Sequence, residues 1–198
     1  GVFVQDEIQL NPQWTLVPAL RFDYYHLAPN IDSIYKEDNP TSNIPSITET
    51  NFSPKLGILR HFDNNVSAYA QYVRGYRPAP FEDAYINLDI ALGGPSRLLV
   101  IPNPDLESET SDGFEIGVRQ GKAGQHLSAS IFYTRYKNFI ETRSFLRNEG
   151  FTRTHQSRNL PNAEIYGAEL SYMIGLQRWS ESLSAWTLST NLAVTEGN

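Results

Sequence analysis

The chain has 198 residues and a formal net charge of −6, from 16 basic and 22 acidic side chains. An acidic chain repels nucleic-acid phosphates, so the composition argues against a nucleic-acid partner. Cysteine is absent, which excludes disulfide frameworks, thiolate zinc sites and cysteine nucleophiles. Aromatic residues make up 12% of the chain and charged residues 19%, a composition that favours an ordered chain over a disordered one.

No apolar stretch approaches the roughly 18 residues that a membrane-spanning helix needs. A mean hydropathy of −0.41 would by itself suggest a soluble protein. A membrane β-barrel gives a similar average, however, because its strands alternate lipid-facing apolar residues with lumen-facing polar ones. The arrangement of the strands therefore has to decide between the two classes.

Alternation of apolar and polar residues with a period of two runs along most of the chain and predicts β-strands. No long helical stripe is found. In chain order, the apolar faces are Trp14, Leu16, Leu20, Phe22 and Tyr24; Phe114, Ile116 and Val118; Leu127, Ala129, Ile131 and Tyr133; Tyr166, Ala168, Leu170 and Tyr172; and Trp186, Leu188, Leu192 and Val194.

Short and long connections alternate between these strands. The short turns fall at residues 11–13, 63–65, 122–124 and 178–181, and the long, irregular stretches at residues 29–50, 78–107 and 141–162. Eight strands in four hairpins, with tight turns at one end and long loops at the other, are typical of an outer-membrane barrel. A soluble β-sandwich also shows alternating strands, but loops of roughly 20–30 residues are uncommon in compact soluble domains.

The sequence contains no Gly-rich phosphate loop, no zinc signature and no Ser/His/Asp grouping in a motif. A barrel enzyme would need a nucleophile and a base facing each other near the rim, and no such pair is evident. The sequence therefore predicts a binding or transport protein without a catalytic cofactor. A soluble β-rich binding module remains the alternative from another class.

Two segments carry a family resemblance. Residues 75–85 read Gly-Tyr-Arg-Pro-Ala-Pro-Phe-Glu-Asp-Ala-Tyr, and residues 103–111 read Asn-Pro-Asp-Leu-Glu-Ser-Glu-Thr-Ser. They resemble the FRAP and NPNL boxes of TonB-dependent outer-membrane receptors, most clearly of the haem and haemoglobin branch. The first box is the ligand-loop motif Tyr76, Arg77, Pro78, Ala79 and Pro80, and the second is Asn103, Pro104, Asp105 and Leu106.

The resemblance implies a 22-stranded antiparallel transmembrane barrel closed by an N-terminal plug. We expect residues 1–198 to supply about eight strands of that single barrel domain, as an internal segment with the plug outside it. An independent eight-stranded barrel is the alternative on size. The implied function is import of haem, free or from haemoproteins, across the outer membrane of a Gram-negative bacterium, with energy from TonB acting on the missing N-terminal region. The alternative is a receptor for a siderophore or another metal chelate.

Haem receptors commonly carry a histidine between the two boxes, and residues 81–102 contain none. Tyr85 is the good haem-iron ligand type in that segment, because a phenolate can hold ferric haem iron. We therefore expect Tyr85 to bind haem and its metal, with His155 in a long outer loop and His26 near an outer strand end as further candidates. The missing histidine favours the siderophore alternative.

The boxes also have a structural interpretation. Prolines that lack an N–H end the strand before the first loop, and Asn103 starts an Asx turn that leads into the next strand. Arg77 could pair with a haem propionate or a siderophore carboxylate. Further arginines share one outer loop, where they are solvated, contact lipopolysaccharide phosphates or dock an anionic ligand. They are Arg143, Arg147, Arg153 and Arg158.

Overall fold

The computed structural model describes residues 1–38, 45–122 and 124–198. Most of these residues lie in one β-sheet. Its strands are β1 (Val2–Gln5), β2 (Ile8–Asn11), β3 (Trp14–Leu27), β4 (Ile47–Phe62), β5 (Val66–Arg77), β6 (Leu88–Gly93), β7 (Ser96–Ile101), β8 (Glu109–Lys122), β9 (Gln125–Glu149), β10 (Thr152–Gly175) and β11 (Thr187–Gly197). Short helices are α1 (Ser33–Asp38) and α2 (Phe81–Tyr85), with 3₁₀ turns at Asp63–Asn65, Leu176–Arg178 and Glu181–Leu183. None of the described helices is long or apolar enough to cross a membrane.

Nine of these strands form a continuous antiparallel wall of eight spans, where a span is one crossing of the wall by the chain. β1 and β2 both pair with β3 and act as one interrupted strand, and β3, β4, β5, β8, β9, β10 and β11 follow in order. β6 and β7 lie in the loop between β5 and β8. Within the described residues no pairing joins β11 back to β1, so this wall is an open segment of a barrel. The expected antiparallel barrel segment of eight strands is confirmed.

One row of paired residues crosses all eight spans and is apolar throughout. We call it the apolar row; it consists of Ile8, Leu16, Ile58, Ala70, Ile116, Ile131, Ala168 and Val194. Most of the larger side chains of this row are exposed, Ile131 at 61%, and Leu16 is half-buried. Apolar side chains that face outward in register across a whole sheet form a lipid-facing band.

The opposite face is polar. The carboxylate of Glu115 accepts hydrogen bonds from the Tyr69 hydroxyl and from the Gln71 amide, the latter at 2.7 Å. The Arg119 guanidinium lies 4.6 Å from the centre of the Tyr69 ring. That ring also covers Gly117, where a Cβ atom would come within 2.5 Å of it. Polar and charged side chains thus contact one another on this face, and a polar face is expected on the lumen side of a barrel wall.

The short turns lie where the sequence predicted them, with Ala123 outside the described residues. Asn64, Asn65 and Gly124 adopt positive φ angles of 65°, 58° and 72°. Asn and Gly reach this left-handed region at the lowest cost, which explains their presence in these turns. The short turns all fall at one end of the wall. We call that end the inner end, and the opposite end the outer end.

The prediction that residues 141–162 are irregular is wrong. β9 and β10 continue as a paired hairpin to a turn at Gly150, which has φ 59°. The ladder skips Pro161 and Asn138, which face each other, and absorbs extra residues in β9 as bulges near Arg143. Bulges and unpaired ladder positions tolerate residues that otherwise break strands, so these residues resemble a loop in sequence.

The other long stretches are also partly ordered. Residues 78–107 contain α2 and the β6–β7 hairpin, and residues 29–50 contain α1 and the start of β4. Residues 39–44 of the latter stretch lie outside the described part of the chain. The prolines and asparagines of these stretches led us to expect irregular structure, but much of it consists of short helices and a hairpin with local hydrogen bonds.

The outward face can be tested with a lysine at two adjacent positions of β5. In the complete protein, Ala70→Lys places a charge in the apolar row, between the interface and the middle of the membrane, so we expect its free energy of unfolding in lipid vesicles to fall by about 1–3 kcal/mol. The control Gln71→Lys puts the same charge beside Glu115 on the polar face, and we expect a loss below about 1 kcal/mol there. Equal losses in a urea titration would contradict the assignment of the two faces.

Candidate functional site in the outer loops

The loop between β5 and β8 is fastened to the outer part of the β9–β10 hairpin. β7 pairs in parallel with β10, with Val100 opposite His155. The Arg97 backbone N–H extends this contact by donating to the Phe151 carbonyl at 3.1 Å. Val100 is 4% exposed and Thr154 is 1% exposed. The loop therefore lies against the barrel wall, and we call this contact the loop junction.

The first box enters the junction through charged and hydroxyl groups. The Tyr76 hydroxyl donates to the Glu49 carboxylate at 2.7 Å, and the Ser108 hydroxyl donates to the same oxygen. The Arg77 guanidinium lies 3.5 Å from the Glu109 carboxylate. The same carboxylate accepts the backbone N–H of Ile140 in β9 at 3.1 Å. These bonds connect the end of β5 to the start of β8 and to β4.

The rest of the first box is packed. Ala79 is fully buried and contacts Leu106 and Ile140, which are 4% and 3% exposed. Pro80 precedes α2, and its carbonyl accepts two backbone N–H groups from the helix. Pro78 lies between strand and helix, where its lack of an N–H ends the β5 ladder. This part of the box supports the loop and has little surface left for a ligand.

The second box forms the Asx turn that its sequence predicts. The Asn103 side-chain oxygen accepts the Asp105 backbone N–H at 3.2 Å. Its amide nitrogen donates to the Ser157 carbonyl at 2.9 Å and so extends the contact with β10. Leu106 joins the buried cluster with Ala79. Asn103 thus turns the chain and attaches it to the wall, and Pro104 lies inside that turn.

Three residues that the sequence did not single out complete the junction. The Asn159 side chain accepts the Glu107 backbone N–H at 2.8 Å and donates to the Glu107 carbonyl at 2.9 Å, as a strand neighbour would. The Ser157 hydroxyl, on a residue 1% exposed, donates to Asp83 at 3.1 Å and accepts the Arg143 N–H at 3.1 Å. Asp83 lies three residues after Pro80, the last residue of the first box, so its position was a usable signal. No sequence signal marked Ser157 and Asn159, since they are distant in sequence from their partners Asp83 and Glu107.

His155 lies at the outer side of this network. Its Nδ1 atom is 2.9 Å from the Arg143 carbonyl oxygen, and its ring meets Phe145 edge-on at 5.8 Å between centroids. A carbonyl can only accept a hydrogen bond, so Nδ1 carries the proton and Nε2 of the neutral ring keeps its lone pair. No hydrogen-bond partner reaches Nε2 among the described residues. His155 therefore presents an oriented, unoccupied nitrogen at the outer end.

Tyr85 has a different environment. It is 3% exposed, its hydroxyl donates to the Pro45 carbonyl at 2.7 Å, and its ring contacts Phe81 at 5.4 Å. Burial, and then the neighbouring Tyr25, raises the pKa of Tyr85. Iron ligation by Tyr85 would require this phenol to leave Pro45 and to ionise.

His26 is separate from both. It pairs with Thr48 in the ladder, and the two side chains are hydrogen-bonded at 2.8 Å. The register places His26 on the same face as Leu20 and Phe22, which is the outward face. The structure therefore connects the two boxes with His155 through Asp83 and Ser157, and it does not bring His26 to them.

A cleft lies beside the first box. β4 pairs with β3 as far as Ile47 but with β5 only as far as Lys55, so β4 and β5 separate toward the outer end. The resulting cavity has a volume of about 460 Å³ and is lined by Arg21, Asp23, Tyr24, Tyr25, Ser53, Arg74, Gly75, Tyr76 and Pro78. The Nε atom of Arg74 is buried without a hydrogen-bond partner in the described structure. The cleft thus offers charges of both signs.

A resident metal centre is not apparent. Within residues 1–38, 45–122 and 124–198, no three His, Asp or Glu side chains converge in a way that could hold a metal ion. The chemistry of the loops is hydrogen bonding and charge pairing around the half-buried imidazole of His155.

The family model for TonB dependent receptor-like β-barrels matches residues 1–197. The chain belongs to this TonB-dependent receptor family. It is 26% identical over 176 residues to the hemoglobin-haptoglobin-binding protein A of Haemophilus influenzae, covering 82% of this chain and 16% of that protein. It is 24% identical over 196 residues to the ferrienterobactin receptor of Escherichia coli K12, covering 96% of this chain and 24% of that receptor. The chain therefore spans a quarter or less of the length of these relatives.

A solved receptor shares the fold. The siderophore receptor PirA from Pseudomonas aeruginosa superposes with a TM-score of 0.71 at 20% identity, covering 99% of this chain and 34% of that one. The superfamily suggested by the two boxes is confirmed. The relatives include a haemoglobin-haptoglobin-binding protein and a ferrienterobactin receptor, so they do not single out the haem branch.

The bridge through Ser157 can be tested by hydrogen exchange. In the complete receptor, Ser157→Ala removes both hydroxyl bonds and leaves Asp83 and the Arg143 N–H short of a partner, a local cost of about 1–3 kcal/mol. We expect faster amide exchange in α2 and around Arg143 and unchanged exchange in the β5–β8 ladder. The control Ser182→Ala alters a hydroxyl that bonds only Ser180 in an inner turn. Exchange in α2 at the wild-type rate would contradict the bridge.

Proposed function

We propose that the chain forms part of the wall and outer loops of a Gram-negative outer-membrane receptor that imports an iron-containing ligand, with haem as the first candidate. TonB would supply the energy through a region outside these residues. Family membership and the lipid-facing apolar row support the location, and the ordered outer loops support ligand capture. The wall carries no chemistry in this proposal.

The tautomer and position of the His155 ring are the main support for haem as the ligand. Its proton is fixed on Nδ1 by a backbone carbonyl, which leaves Nε2 as the atom that axial histidines offer to haem iron. The Phe145 ring beside it is 54% exposed and provides an apolar surface for a porphyrin face. Tyr85 stays the second candidate ligand, since its phenol is occupied by Pro45.

A haemin titration of the complete receptor in detergent tests this assignment. We expect a saturable Soret band in the wild type, and binding weakened at least about tenfold in His155→Ala, since loss of even an outer-shell partner costs that much. The matched variant Tyr85→Phe keeps the buried ring and should leave the band unchanged.

Each other outcome has a defined meaning. A band that shifts in Tyr85→Phe and not in His155→Ala would move the iron to Tyr85. A band that is unchanged in both variants would place the ligand elsewhere, with His26 next. The absence of any saturable band would reject haem.

An anionic ferric siderophore is the second candidate, favoured by the arginines of the outer hairpin. Arg147 and Arg158 pair with Glu149 and Glu141 at 2.9 Å and 2.8 Å. Arg143 and Arg153 have no carboxylate within 4.0 Å in the part of the chain that the structure describes. Unpaired guanidinium groups on an exposed hairpin suit a negatively charged chelate or the propionates of haem.

Ferric enterobactin binding to the complete receptor tests this second candidate. We expect Arg153→Gln to weaken binding about fivefold or more, since a charge-assisted hydrogen bond is lost. The control Arg147→Gln removes an arginine of the same hairpin whose charge Glu149 already neutralises, and we expect little change. Saturable binding that neither variant affects would exclude the hairpin as the docking surface, and no binding would exclude this chelate.

A further inference from the structure

Arg60 is a cation on the lipid-facing side of the wall. The register pairs it with Trp14 on one side and with Ala68 on the other. It lies two residues from Ile58 of the apolar row, on the same face and toward the inner end of β4. The turn at Asp63–Asn65 follows shortly after it. Arg60 therefore faces the membrane at the level where the short turns leave it.

Aromatic rings hold this guanidinium in place. Its carbon lies 4.5 Å from the centre of the Phe62 ring and 5.1 Å from the Trp14 ring. Phe62 is 42% exposed and Trp14 is half-buried, so both rings keep surface on the lipid-facing side. No carboxylate lies within 4.0 Å of Arg60 among the residues described. The rings fix the position of the charge but leave its N–H donors free.

Three properties of this position indicate the partner. A guanidinium presents five N–H donors in a planar fork that matches a phosphate group, and the rings beside it fill none of them. A charge on the lipid face is tolerated near the interface and not at mid-membrane, which agrees with a position close to the turn. Trp and Tyr side chains are enriched at the same depth, where an apolar body meets polar headgroups.

We propose that Arg60, Trp14 and Phe62 form a binding site for the phosphate of a phospholipid headgroup in the periplasmic leaflet of the outer membrane. The guanidinium pairs with the phosphate, and the two rings pack against the glycerol and the first part of the acyl chains. The site anchors the inner rim of the barrel at a fixed depth. It is independent of the ligand that the outer loops capture.

Arg119 offers a matched control. It lies on β8 and stacks on Tyr69 at 4.6 Å, so it has the same kind of cation–ring contact as Arg60. The register pairs Arg119 with Ser67 and Ser128, on the polar face of the wall. Arg119→Gln therefore removes an equivalent charge from the side that does not contact lipid.

The experiment is native mass spectrometry of the complete receptor in detergent, titrated with dioleoyl phosphatidylglycerol. We expect Arg60→Gln to weaken the tightest lipid adduct about tenfold, as loss of a charge-assisted bidentate pair does, and Arg119→Gln to leave it unchanged. A phosphate-free diacylglycerol glycoside should bind more weakly, with no difference between wild type and Arg60→Gln.

Fluorescence provides the second readout if Arg60→Gln lowers the yield of folded receptor. Brominated phosphatidylglycerol should quench the Trp14 emission, identified by its loss in Trp14→Phe, and inorganic phosphate should not. Adducts of wild-type strength in Arg60→Gln, an equal loss in Arg119→Gln, or a Trp14 that the brominated lipid does not quench would overturn the proposal. Heat-modifiable migration of the folded barrel on a gel serves as a fold control, since Arg60→Gln should not alter it.

Discussion

The register of one apolar row governs the structure. Eight paired positions, from Ile8 to Val194, point to the same side on every span, and their polar neighbours point to the other. Because side chains alternate with a period of two, a slip of one residue at any pair would place groups such as Glu115 in lipid. The bilayer therefore enforces the register more strictly than the strand backbones do. The depth of each strand end follows from it, and so do the positions of the outer boxes and of Arg60.

In the outer loops, the residues that hold the loops in place differ from those that are free to bind a ligand. The residues of the two boxes are buried or bonded within the chain: Ala79 and Leu106 pack together, Arg77 faces Glu109, and Asn103 holds β10. Side-chain amides continue the ladder where backbone pairing stops, so the loop is held without a regular strand. Support of this kind leaves few free groups in the boxes. The groups that could meet a ligand lie beyond them, on the β9–β10 hairpin, and the bridge through Ser157 links that hairpin to α2.

In the β9–β10 hairpin, the sequence predicted the part of each strand that crosses the membrane but not the part beyond it. The alternation from Leu127 to Tyr133 predicted both the strand and its outward face, because lipid selects apolar residues at every second position. The continuation to residue 149 was not predictable in the same way. Outside the membrane both faces of a strand can be polar, and bulges near Arg143 and the unpaired Pro161 interrupt the pattern. Without a lipid face the period of two disappears from the sequence, although the backbone pairing continues.

The sequence by itself determined the fold class, the eight spans, the short turns and the family, since these depend on local alternation, on turn residues and on two contiguous motifs. It also placed an Asx turn at Asn103. Only the tertiary structure decided that the Tyr85 hydroxyl is bonded to Pro45, that the proton of His155 lies on Nδ1, and that Ser157 and Asn159 fasten the loop. These properties depend on partners that lie 12 to 74 residues away in the chain. Burial and hydrogen-bond partners at such separations leave no periodic trace in a sequence.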